Sequence, residues 1–274
     1  MTAINHAATF RQLHQHGLLL LANAWDAGSA RLIESLGAKA IATTSAGVAW
    51  ANGYADGSHL PMQQSIATIA NIVRVIRVPL SVDFEDGYAS DPATVADNVA
   101  RVIDAGAVGI NIEDGADSPD LLASKIERIK RMAAQRGVDL FVNARTDVYL
   151  RGLASDERRV EETLARAARY RAAGADNLFV PGVVDADDIR RIVENAGLPL
   201  NVMSRPGLPG VPELAALGVR RLSAGASISI ATLDCVAGLT SSFLHHGEGN
   251  PVPGKALDYG AINRLFDGIE ARQQ

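Results

Sequence analysis

The strongest constraint on this chain is a rhythm: short apolar runs alternate with longer amphipathic stretches almost from end to end. The runs are Leu18–Ala22, Ala40–Thr44, Pro79–Val82, Gly109–Ile112, Leu140–Ala144, Asn177–Val180, Leu200–Met203 and Arg220–Ser223. Apolar runs this short suit buried strands better than helices. Between them, Ser29–Leu36, Met62–Val75, Pro92–Ala105, Leu121–Ala134, Ser155–Ala173 and Ala186–Ala196 place apolar residues three and four apart, which marks one face of a helix. A glycine recurs just before several runs, at Gly37, Gly106, Gly174, Gly197 and Gly218. Glycine closes a helix well because it accepts the left-handed conformation. Strand, helix, glycine, strand, with eight strands and no break in composition, predicts a single (β/α)8 barrel over residues 1–274. The rival topology is an open doubly wound sheet, but no Gly-x-Gly-x-x-Gly follows an early strand. The same absence argues against a dinucleotide-dependent oxidoreductase.

Composition fits this architecture. The chain is 47% hydrophobic but only 5% aromatic, so its core is built from Ala, Val, Leu and Ile, as suits parallel strands covered by helices. The net charge of −5 and the confinement of basic pairs such as Arg158-Arg159 and Arg190-Arg191 to helical patterns argue against a nucleic-acid partner. Cys235 is the single cysteine, so no internal disulfide can form, which fits a reducing compartment. Its Ala/Val/Leu surroundings predict a small core residue. Met1–Gly17 lacks the apolar stretch of a signal peptide, and no uninterrupted run of about 18 apolar residues predicts a membrane span. The expectation is a cytoplasmic protein. After Ile230 come one more helix, a Gly/Pro-rich link at His245–Pro253 and a final amphipathic piece at Ala256–Arg272. This C-terminal arm, about residues 240–274, could pack on a neighbouring subunit or on its own barrel.

Barrel enzymes build their sites where strands end. The first strand ends in Asn23-Ala24-Trp25-Asp26, the second in Thr44-Ser45-Ala46-Gly47 and the third in Asp83-Phe84-Glu85-Asp86-Gly87. The fourth ends in Glu113-Asp114-Gly115 and the fifth in Asn143-Ala144-Arg145-Thr146-Asp147. Asn201 stands in the seventh. Neighbouring strands three and four thus deliver carboxylates to one rim, where they repel one another unless a cation or protons intervene. An oxygen-rich cluster of this kind prefers a hard divalent ion, and Mg2+ keeps several waters in such a site. Arg145 offers a fork for a carboxylate, although Asp147 could occupy it instead. The Ser45–Gly47 segment reads as a small-residue turn whose N–H groups could grip an anion.

With these residues in this order, the stretch from Leu18 to Ser227 resembles the isocitrate lyase/phosphoenolpyruvate mutase superfamily. The likeness rests on Ser45-Ala46-Gly47, Asp56, Asp83-Phe84-Glu85, Ile112-Glu113-Asp114, Asn143-Ala144-Arg145-Thr146-Asp147, Gly174-Ala175-Asp176 and Asn201. The resemblance implies a barrel whose last helix is swapped between subunits of a homo-oligomer, dimer or tetramer. It also implies Mg2+ and a small 2-oxo acid ligand. By position Asp83 resembles the direct metal ligand, and Asp56, Glu85 and Glu113 resemble residues that hold its waters. Ser45, Ala46 and Gly47 resemble the carboxylate and oxyanion grip. Arg145 resembles the arginine beside the reacting bond, Trp25 a pocket wall, and Asn201 a substrate-binding residue.

The departures narrow the reaction. Isocitrate and methylisocitrate lyases of the superfamily carry a Lys-Lys/Arg-Cys-Gly-His lid after strand four, whereas Gly115-Ala116-Asp117-Ser118-Pro119-Asp120 stands here. Their glutamate after strand six is replaced by Val180-Pro181-Gly182, and the lid asparagine of the phosphonopyruvate-forming mutases is missing. The expectation is a carbon–carbon lyase or decarboxylase acting on a 2-oxo (di)carboxylic acid through a metal-stabilised enolate, with Glu113 and Arg145 in catalytic roles. Arg145 should read a second carboxylate, which favours oxaloacetate or 2-oxoglutarate. A relic that binds such a ligand without turnover is the alternative, since no lid acid is present and His59 is a remote substitute.

Overall fold

The computed structural model describes residues 5–249 and 257–269. Its strands are β1 (Leu19–Leu21), β2 (Asn23–Ala24), β3 (Ile41–Thr43), β4 (Leu80–Asp83), β5 (Gly109–Glu113), β6 (Phe141–Arg145), β7 (Asn177–Phe179), β8 (Leu200–Met203) and β9 (Arg221–Ser223). All pair in parallel in the order β1-β9-β8-β7-β6-β5-β4-β3-β2. β1 and β2 are one extended segment broken at Ala22; its first half pairs with β9 and its second with β3, which brings the two ends of the sheet round to one strand. The expected barrel is therefore present, at the expected strand positions.

The helices are α1 (His6–Leu13), α2 (Ala27–Ser35), α3 (Ser45–Ala51), α4 (Met62–Val75), α5 (Pro92–Asp104), α6 (Pro119–Gln135), α7 (Arg159–Ala172), α8 (Ala186–Asn195), α9 (Val211–Ala216), α10 (Ser227–His246) and α11 (Tyr259–Arg264). Local chemistry starts them: Asp26, Asp91, Ser118 and Asp185 each cap the helix that follows through a side-chain oxygen. Their apolar faces, such as Ile69 and Ile72 on α4, Val95 and Val99 on α5, and Ile126 and Ile129 on α6, pack on the outside of the sheet. Inside the barrel lies a smaller cluster of Phe10, Leu19, Leu21, Ala40, Ala42 and Phe141. Phe10 comes from α1, whose rings close the base against Phe141 at 5.2 Å.

Strand side chains alternate, so every second residue enters the barrel. Register aligns the inward ones in layers. Asp83 stands beside Asn111, Asn111 beside Asn143 and Asn143 beside Asn177. One step nearer the carboxyl ends, Glu113 stands beside Arg145.

One expectation is corrected: Cys235 is exposed on α10 rather than buried in a core. α10 meets the length and composition of a membrane-crossing helix, although Ser, Thr and Asp residues are scattered through it. Parts of the expected link and final helix, residues 250–256 and 270–274, lie outside the described residues.

Candidate active site

The carboxyl ends of β3 to β6 bring Ser45, Asp83, Glu85, Glu113 and Arg145 to one rim. Asp83 ends β4. Its Oδ2 accepts from the Ser45 N–H at 3.1 Å and its Oδ1 from Asn111 Nδ2 at 3.3 Å. Ser45–Gly47 is the first turn of α3 rather than a free turn, a correction to the sequence reading. A helix start leaves N–H groups without intrahelical partners, and Ala46 and Gly47 have none among the described residues. Glycine is needed at position 47: a Cβ there would stand 2.9 Å from Trp25 Cβ and 2.8 Å from Thr44 Cγ2. Trp25 is thereby packed directly against this turn.

Glu85 is buried, and Tyr88 donates its hydroxyl to Oε1 at 2.7 Å. The Ser58 N–H and hydroxyl donate to Oε2. Burial pushes its proton affinity up, these donors oppose, and the nearby charge of Asp56 adds to the rise. Asp56 itself is exposed on the loop before α4, and His59 on the same loop is exposed as well. Ser58, Glu85 and Tyr88 are the non-glycine residues with positive φ among those described, at 61°, 49° and 59°. Each such conformation costs about 1–3 kcal/mol and tends to collect at functional sites. All three lie in one hydrogen-bonded group beside Asp83.

Arg145 is held on two sides. Its Nη1 contacts Glu113 Oε2 at 2.6 Å, while Nε and Nη2 donate to Asp147 at 2.7 and 3.1 Å. The expectation that Arg145 stands open for a second carboxylate from the ligand is corrected in one respect: Glu113 and Asp147 already engage its guanidinium. The side chain of Asp147 is fully buried and its N–H donates to Asp114 Oδ1 at 2.9 Å. Asp114 in turn accepts from Arg166 Nη1 at 2.8 Å and from Tyr170 OH at 2.5 Å, both on α7. So Asp114 faces away from the rim and steadies the arginine clamp. No sequence signal marks Arg166 or Tyr170 for this role.

Asn201 is fully buried below the rim. It accepts from Asn143 at 3.0 Å and donates to Ser223 at 3.1 Å, so it holds the barrel interior together and offers no surface to a ligand. After Glu113 the chain runs through Asp114–Asp117 to the Ser118 cap and straight into α6. In the place of the strand-six glutamate, Gly182 packs against the backbone of Tyr149 and Leu150.

Glu113 carries the electrostatic signature of the site. Burial pushes its proton affinity up to about 8; Arg145 opposes, and the crowd of Asp83, Asp147 and Glu85 adds to the rise. Burial outweighs the 2.6 Å contact with Arg145, a guanidinium that Asp147 also shares. The folded value lies above the unfolded value of 4.5, so the folded state keeps a proton that the unfolded state has lost, and stability falls as pH rises from about 4.5 to 8. A divalent cation at the rim should expel that proton. Calorimetric titration of Mg2+ at pH 7 is expected to show a heat that scales with buffer ionisation enthalpy, and an apparent affinity that climbs with pH and levels above about 8. A buffer-independent heat would contradict this.

Two larger cavities lie elsewhere, one of about 920 Å3 on the outer face of β1 and β9 and one of about 670 Å3 near Arg74, Arg77 and Gly106. A small recess, lined by Thr43, Ser45 and Tyr88 among others, reaches Asp83. The rim is singled out by chemistry rather than depth.

A parallel α/β barrel with a strained, acid-lined rim facing a clamped arginine defines the class of the protein. Residues 10–244 match the phosphoenolpyruvate phosphomutase family. The chain belongs to that family, within the isocitrate lyase/phosphoenolpyruvate mutase superfamily. It is 40% identical over 222 residues to an uncharacterised protein of Mycobacterium tuberculosis (strain ATCC 25618 / H37Rv), covering 79% of this chain and 81% of that one. It is 31% identical over 248 residues to the oxaloacetate decarboxylase of Pseudomonas fluorescens (strain SBW25), covering 82% of this chain and 81% of that one. Among solved structures, a protein of Burkholderia cenocepacia J2315 assigned as a phosphonomutase superposes with a TM-score of 0.82 at 41% identity, over 86% of this chain and 98% of that one.

Proposed function

We propose that the chain is a Mg2+-dependent enzyme that breaks a carbon–carbon bond of a small 2-oxo acid, by lyase or decarboxylase chemistry. The observation that carries this reading is the convergence of Asp83, Glu85, Glu113 and Arg145 on one rim beside the Ala46 and Gly47 N–H groups, with burial raising the proton affinity of Glu113. Catalytic sites collect groups perturbed in this way. The likeness to an oxaloacetate decarboxylase supports the substrate class.

The rim suits a hard divalent ion, because its donors are carboxylate oxygens and Mg2+ keeps most of its waters while taking one or two carboxylates. Asp83 would be the direct ligand, and Glu85, Glu113 and the outlying Asp56 would hold waters. When bound, Mg2+ supplies Lewis-acid charge against the keto and carboxylate oxygens of a 2-oxo acid. The protein does the rest. The Ala46 and Gly47 N–H groups receive negative charge that develops on the substrate oxygen as the bond to C3 breaks. Asp83, tied to Ser45 N, fixes the distance between that turn and the acid rim. Arg145 holds Glu113 in place and keeps a positive charge beside the reacting carbons. Trp25 walls the turn.

A ligand-binding protein without turnover is the second reading, favoured by the short connection from Glu113 to α6, which leaves no room for a lid acid. A screen of 2-oxo and 2-hydroxy acids with Mg2+, read by pyruvate or CO2 release, separates the two. Turnover of a 2-oxo acid is expected, with isocitrate and methylisocitrate at background, since loss of a general acid removes about 100- to 10,000-fold in rate. Robust cleavage of either tricarboxylate would overturn the assignment.

For assembly we propose a homo-oligomer, dimer or tetramer, in which α10 packs on a second copy. Its apolar residues Ile230, Leu233, Val236 and Phe243 are exposed, and the groove beside β1 and β9 leaves Leu20 and Leu36 uncovered. Light scattering should give a multiple of the 28.8 kDa chain mass, and Leu233→Asp with Phe243→Asp should reduce it. A wild-type monomer would contradict this.

A further inference from the structure

Arg221 is the largest fully buried side chain among the described residues, and it lies inside the barrel. Its Nη2 donates to Asn111 Oδ1 at 3.2 Å, while Nε and Nη1 have no hydrogen-bond partner among the described residues. A buried guanidinium this poorly satisfied is a cost to the fold. The fold has no evident need of it, because Asn111 Oδ1 also accepts from Asn143 Nδ2 at 2.8 Å.

What Arg221 does reach is the rim. Two donors converge on Asn111 Oδ1, so the amide is fixed with Nδ2 toward Asp83. That nitrogen then donates to Asp83 Oδ1 at 3.3 Å. Burial pulls the Arg221 guanidinium down to about 9, opposed by the charge of Asp83, so Arg221 remains a cation at neutral pH. In a low-dielectric interior such a charge acts over longer distances than it would in water.

We propose that Arg221 is a positioning residue for the rim: a cation buried beneath Asp83 that orients it through Asn111 and raises the site's affinity for an anionic ligand, at the expense of stability. The proposal rests on the reading of the rim as a site for Mg2+ and a 2-oxo acid. A structural arginine and a functional one differ in the sign of their effects. Replacing a buried, under-satisfied charge by an apolar residue is commonly neutral or stabilising, whereas losing the charge should weaken anion binding.

The test uses the full chain, Arg221→Met and Arg221→Lys, with thermal unfolding and calorimetric titration of oxalate at saturating Mg2+. Arg221→Met should match or exceed the wild-type melting temperature and weaken oxalate binding on the order of tenfold. Arg221→Lys, which keeps the charge, should stay within about threefold of wild type. If Arg221→Met fails to fold or melts several degrees lower, Arg221 is a structural residue and the proposal is wrong. It is equally wrong if Arg221→Met binds oxalate as tightly as wild type. A wild-type chain that binds no oxalate with Mg2+ present contradicts the reading of the site itself and takes this proposal with it.

Discussion

Asp83→Ala is expected to abolish Mg2+-dependent binding of oxalate and to lower turnover on the order of 1,000-fold, equivalent to about 4 kcal/mol of transition-state stabilisation. Asp83 joins both halves of the site. One carboxylate oxygen is tied to the Ser45 N–H that opens α3, the other to the barrel interior through Asn111. No other rim carboxylate can take its place: Glu85 is occupied by Tyr88 and Ser58, and Glu113 by Arg145. The fold should tolerate the change, since Asp83 is only half-buried and forms no ion pair among the described residues. Calorimetry with Mg2+ and oxalate, alongside a melting curve, gives the answer. A folded variant that binds both as tightly as the parent would show that the metal assignment is wrong.

The second large effect is expected at Arg145. Arg145→Met should cost about 3 kcal/mol of stability at neutral pH, because removing one partner of a buried ion pair leaves the other charge uncompensated. Asp147, whose side chain is fully buried, would keep only the half-exposed Arg151 at 2.9 Å. Catalysis should fall as well, since Glu113 would lose its anchor and Asp147 its link to the rim. Denaturant unfolding separates the two effects: the stability loss is read directly, and turnover is assayed below the transition. An Arg145→Met protein with wild-type stability would mean that the Glu113–Arg145–Asp147 clamp contributes nothing to the fold.

The sequence showed the barrel clearly because parallel strands buried on both faces are short apolar runs, and because helix-ending glycines precede several of them. The rim was legible for a related reason: strand ends fall at fixed points in that rhythm, so Asp83, Glu113 and Arg145 could be placed on one face. What stayed hidden depends on side-chain direction. Whether Arg145 turns toward a ligand or toward Asp147 is decided by Asp114, Arg166 and Tyr170, the last two more than 50 positions away along the chain from Asp114. Ser45-Ala46-Gly47 is too small and glycine-containing to announce a helix, yet Trp25 and Thr44 require that close approach. The asparagines at 111, 143, 177 and 201 recur within otherwise apolar runs, a signal that could have been read as a polar layer inside the barrel. The pair Arg220-Arg221 gave no hint that strand alternation buries one of them completely while the other stays partly exposed.

Turnover of a 2-oxo acid at this rim with Mg2+ can be followed by carbon-13 NMR of oxaloacetate, with the protein and Mg2+, with the protein and excess chelator, and with Mg2+ alone. Carbon–carbon cleavage above the protein-free Mg2+ rate is expected, with pyruvate and CO2 as products, and it should disappear on chelation. Oxaloacetate that decays no faster with protein than with Mg2+ alone, together with no turnover of any other 2-oxo acid, would contradict this reading of the rim.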